Sequence, residues 1–84
     1  MPVIARFYGI TIKMYFRQAE HNPPHIHASS GECVGLFSIH TGDMFEGDLS
    51  HKDQQMVKTF IDHYRERLLT MWENQDFEML SSIQ

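Results

Sequence analysis

Ile10-Thr11-Ile12-Lys13-Met14-Tyr15-Phe16 is the stretch that decides the fold. Successive side chains of a strand point to opposite faces. Ile10, Ile12, Met14 and Phe16 therefore share one face, and Thr11, Lys13 and Tyr15 share the other. That pattern is a half-buried strand. Just upstream, Tyr8-Gly9 offers a turn or bulge, and Val3–Phe7 is a second short apolar run with one Arg. Downstream, Arg17–Pro24 is a polar connection ending in Pro23-Pro24. Two prolines fix two φ angles and remove two N–H donors, so this end is extended and outside any ladder interior.

Further along, His25–Ser29 reads as a short strand, Ser30-Gly31 as a turn and Glu32–Ile39 as the next strand. His40-Thr41-Gly42-Asp43 marks a tight turn, from which Met44–Leu49 pairs back as a hairpin. Ser50 then reads as a helix N-cap, with Asp53 three residues on. Met56, Val57, Phe60, Ile61, Tyr64, Leu68, Met71 and Trp72 recur at helical spacing, with Leu69 at the flank. Thr59, Asp62, Glu66, Thr70 and Glu73 lie opposite. The periodicity predicts an α+β fold: a small antiparallel or mixed sheet of about five short strands across residues 3–49, packed on one long amphipathic helix across residues 51–74. Phe77, Leu80 and Ile83 extend it as a last turn or a docking tail.

The chain has 84 residues, which is the size of one domain, 1–84. A core that small gives limited stability, and self-association would add to it. Hydrophobic residues make up 42% and charged residues 21%, which excludes a disordered tail. The single cysteine, Cys33, excludes an internal disulfide and a Cys-only zinc site; the general burial habit of cysteine makes it an inert buried thiol. No apolar run has the length of a signal peptide core or a membrane span, so a cytoplasmic location without a membrane is the expectation. Net charge −4 argues against a general nucleic-acid coat. Residues 1–17 nevertheless carry Arg6, Lys13 and Arg17 and no acid, a local basic face or simply three solvated charges.

Three segments together resemble a known family. They are Met1-Pro2-x-Ile4-x-x-Phe7-x-Gly9-Ile10-x-Ile12-x-Met14-Tyr15-Phe16, then His21-Asn22-Pro23-Pro24-His25-x-His27-Ala28, then Ile39-x-Thr41-Gly42-Asp43 with Glu46-Gly47-x-Leu49. With the long helix and Trp72, they resemble the small bacterial proteins of domain of unknown function 4160. The resemblance implies a cytoplasmic protein encoded beside a second small protein, in an arrangement like that of toxin–antitoxin pairs. It implies no catalytic residues. The chain departs from the family pattern in its polar stretch Arg17-Gln18-Ala19-Glu20 and in a helix start without proline or arginine.

The chemistry on offer centres on His21-Asn22-Pro23-Pro24-His25-Ile26-His27. In an extended segment His25 and His27 share a face, with Cα atoms about 6.5–7 Å apart. Imidazole is both the natural acid/base near neutral pH and the commonest metal ligand. His21, His25 and His27 are thus candidate ligands for a divalent metal, with Glu20, Glu32 or His40 as further donors. No cofactor is called for by any standard motif. As a metal-free pair, His25 and His27 are candidate catalytic groups for RNA cleavage, with a cation from Arg6, Lys13 or Arg17 and Tyr15 to stack a base. Against both stands a plain alternative: Pro-Pro and exposed histidines also suit a solvated edge strand and its turn.

His40, His51 and His63 read as solvated or boundary residues, and Asp43, Glu46 and Asp48 as a solvated acidic hairpin. Six Met and six Phe give material for contact surfaces as well as for a core. The first expectation is an interaction component of a toxin–antitoxin-like pair, binding the small protein of the neighbouring gene or a second copy of itself as a homodimer. The alternatives are a histidine-dependent, metal-free ribonuclease or hydrolase toxin, and a metal-binding regulatory domain. RNA is the partner that net charge disfavours.

Overall fold

A computed structural model describes residues 3–15, 23–76 and 79–80. Its elements are β1 (Val3–Phe7), β2 (Ile10–Lys13), β3 (His25–Ser30), β4 (Cys33–Ser38), β5 (Met44–Gly47) and α1 (His51–Asn74). The five strands form one sheet in chain order, and every neighbouring pair is antiparallel. The fold is the expected α+β layer, a meander with one long helix.

Turn chemistry sets this order. Tyr8 and Gly9 link β1 to β2 with φ of 52° and 79°. Two positive φ angles are what a type I′ hairpin needs. Gly31, at φ 61°, opens the two-residue link between β3 and β4. The expected turn is therefore displaced by one residue, and β3 runs on to Ser30. The second strand stops at Lys13; Met14 and Tyr15 continue outside the ladder, and Phe16 lies outside the described residues. The last strands are also shorter than expected, Cys33–Ser38 and Met44–Gly47. At Gly47, with φ 129°, a side chain would collide with the Val34 carbonyl and the Gly35 backbone.

One face of the sheet is the core. Ala5, Phe7, Ile10, Ile12, Met14, Ile26, Ala28 and Phe37 are buried there. Val57, Phe60, Ile61, Leu68, Met71 and Trp72 of α1 are buried against them, and Phe60 stacks on Phe7 at 5.1 Å. The expected polar side, Thr59, Asp62, Glu66, Thr70 and Glu73, is exposed. Ser50 caps the helix, its hydroxyl accepting from Asp53 N–H at 3.2 Å. Gln75 ends it in the left-handed conformation. In between, α1 bends at Tyr64, and Arg65 donates to the Ile39 carbonyl at 2.9 Å.

Two expectations change. Histidine-bearing β3 is the central strand, paired on both sides, so the edge-strand reading of its histidines is wrong. Leu80 is no free docking residue either. It is buried, and its N–H donates to the Ile4 carbonyl of edge strand β1 at 2.6 Å. Phe77 and Ile83 lie outside the described residues.

Candidate functional site on the second face of the sheet

Strand register determines what stands beside the histidines. Lys13, His27, Leu36 and Glu46 form one cross-strand row. Arg6, Thr11, Ser29 and Val34 form the next. His25 pairs with Ser38 at the start of β3. All these side chains lie opposite the core residues Ile26, Ala28 and Phe37, and none of them is buried. A bulge in the β4–β5 ladder inserts Phe45 between Met44 and Glu46 and leaves it 52% exposed.

The expected common face of His25 and His27 is present. Their ring centroids are 5.3 Å apart, with planes inclined at 47°. His27 meets Tyr15 edge-on at 4.2 Å. His25 has Trp72 at 5.1 Å and Phe45 at 6.1 Å. As the first residue of β3, His25 sits at the end of the sheet, where a helix side chain can reach it. Its Nδ1 lies 2.9 Å from the Pro23 carbonyl oxygen. A carbonyl only accepts, so Nδ1 carries a proton, and in the neutral ring Nε2 holds the lone pair. The proline segment thus sets the tautomer of the neighbouring histidine.

The environment holds His27 neutral. Its pKa falls from 6.5 to about 4, first because burial removes solvation from the charged ring, then because His25 and the Lys13 ammonium oppose a second positive charge. At neutral pH His27 is a neutral imidazole with one N–H and one lone pair, able to accept a hydrogen bond or ligate a metal but not to act as a general acid.

Of the other candidates, Lys13 and Tyr15 join the histidines directly. Arg6 shares the face, but it is one row along and two strands across from His27, about 12 Å by sheet spacings. His21, Arg17 and Glu20 lie outside the described residues. Glu32 is at the far end of β3 and His40 in an exposed turn. Among the described residues, no three His, Cys, Asp or Glu side chains are placed to hold a metal. Cys33 is half-buried against the core rather than fully enclosed. His51 and His63 are exposed. Two members of the acidic hairpin are engaged at home: Asp43 pairs with Lys58 at 3.0 Å, and Asp48 accepts from Val34 N–H at 3.0 Å.

The sequence reading did not single out Phe45, Trp72, Val34 or Leu36 for this face. Val34 and Leu36 were legible in principle, since Cys33–Phe37 is apolar at alternate positions on both faces. Phe45 was not, because a bulge inverts the face of the residue it inserts.

A five-stranded antiparallel meander with one covering helix, and a histidine pair on the strand at its centre, describes the class. The family model for "Domain of unknown function (DUF4160)" matches residues 9–73, and the chain belongs to that family. No curated protein and no solved structure gives a match. Among the described residues, no helix is long and apolar enough to cross a membrane.

Proposed function

We propose that the protein is the interaction component of a two-protein, toxin–antitoxin-like pair, and that it docks its partner on the histidine-bearing face of the sheet. The observation that carries this is the apolar strip on that face. Val34 is 46% and Phe45 52% exposed, beside half-buried Leu36 and the rings of Tyr15, His25 and His27. The opposite face already has its helix. Aromatic and aliphatic groups around a few polar ones are the usual make-up of an interface core. The partner is a protein, the product of the neighbouring gene that family resemblance implies.

Catalysis fits less well. General acid–base work needs groups that titrate near the working pH. His27, at about 4, is a weak base and donates no proton at neutral pH. The ribonuclease reading keeps one favourable observation, Lys13 opposite His27 as a phosphate-binding cation beside Tyr15.

Co-expression with the neighbouring gene product and affinity capture test the proposal. The double substitution Val34→Asp and Phe45→Asp should lower capture at least about tenfold, since it puts charge at the centre of an apolar contact. Unchanged capture would refute docking on this face. Cleavage of RNA that is lost in His25→Ala with His27→Ala would replace the proposal with the ribonuclease reading.

A further inference from the structure

The geometry points to a two-histidine chelate for one late first-row divalent cation such as Zn2+, between His25 Nε2 and a ring nitrogen of His27. Zn–N bonds of 2.0–2.1 Å put an ion about 3.2 Å from the centroid of each ligating ring. Two imidazoles on one tetrahedral ion then have centroids about 5.2 Å apart, against about 4.5 Å in a square-planar complex. His25 and His27 stand at 5.3 Å.

Three features hold the rings ready. The Pro23 carbonyl takes the Nδ1 proton of His25, which leaves Nε2 as the free donor. Metal-binding imidazoles are commonly oriented by such a second hydrogen bond. Trp72 and Phe45 flank the His25 ring, and Tyr15 meets the His27 ring edge-on. Both histidines come from adjacent outward positions of the central strand, His27 paired to β2 and β4 and His25 to β4, so the backbone under them is held in the sheet. Lys13, opposite His27, works against a cation and keeps the affinity moderate. Water, or a donor from a docked molecule, completes the coordination. The inference does not rest on partner docking: capture and metal binding are separate measurements and fail separately.

Titration of the full-length protein with Zn2+, followed calorimetrically, tests it. One equivalent should bind, and His25→Gln or His27→Gln should each weaken binding at least about tenfold, as loss of a ligand costs no less than loss of its supporting contact. Two measurements on the unaltered chain avoid dependence on folded variants. Zn2+ should shift the ring-nitrogen NMR signals of His25 and His27 before those of His40, His51 and His63. Cu2+ should quench the fluorescence of Trp72, the chain's one tryptophan, because its ring lies 5.1 Å from His25. Unchanged Zn2+ affinity in the double His25→Gln, His27→Gln variant overturns the site. So do first shifts at the other histidines, or an affinity that falls only with His21→Gln.

Discussion

His27 should make stability depend on pH in a defined window, and His27→Gln should remove that dependence. In the folded chain the ring takes up its proton only near pH 4, held down from 6.5 by desolvation, His25 and Lys13. In the unfolded chain it does so near the ordinary value. Between the two, the unfolded chain binds more protons, so stability rises with pH. The contribution is complete above about pH 6.5, is lost as pH falls toward 4, and changes no further below that. The full drop in pKa would be worth about 3.4 kcal/mol at 1.36 kcal/mol per pH unit. Because His27 is only partly buried, screening lowers the realised figure to about 1–2 kcal/mol. Urea unfolding of wild type and His27→Gln, in metal-free buffer with a chelator, isolates the effect from the carboxylates that titrate in both. The advantage of wild type over the variant should shrink by about 1–2 kcal/mol between about pH 7.5 and pH 4. An NMR titration of the His27 ring should have its midpoint near 4, and Lys13→Gln should move it upward. A gap that does not change with pH, or a midpoint near 6.5, would refute the reasoning.

Gly47→Ala should destabilise by about 2–4 kcal/mol in the same unfolding assay, combining left-side φ strain with collision against the Val34 carbonyl. Ser50→Ala removes the hydroxyl that accepts from Asp53 N–H and should cost about 1 kcal/mol, while Ser50→Asp should restore most of it. Leu80→Ala should cost about 2 kcal/mol and leave partner capture unchanged, because Leu80 is buried against its own β1 edge; loss of capture at unchanged stability would assign it to the interface instead.

Much of the site was legible because it rests on local rules. His25 and His27 are two residues apart on a strand, and the period of two alone puts them on one face. Lys13 and Tyr15 follow from the same rule on the neighbouring strand. What placed Lys13 opposite His27 was register, which the pattern of buried residues restricts only to alternate positions. The edge-strand expectation for the histidines failed because the sequence of a strand does not state how many neighbours it has. Pro23-Pro24 lacks N–H donors, yet the Pro24 carbonyl still accepts from Ile39 N–H, and β3 begins directly after it, paired to β4 from His25 and to β2 from His27. The bend of α1 at Tyr64 also had no local sign, since no Pro or Gly occurs in His51–Asn74.

By itself, then, the order of residues determined the elements: alternation made the strands, positive-φ turn residues made the hairpins, and Ser50 with a helical apolar stripe made α1. These depend on neighbours within a few positions, where sterics and hydrogen bonding act directly. Only the tertiary structure decided that β3 is central, that Phe45 bulges toward His25, and that Trp72 closes on the same ring from a helix more than forty residues away. Those contacts join segments distant in sequence, and their choice is made by shared burial and register rather than by any residue's own preference.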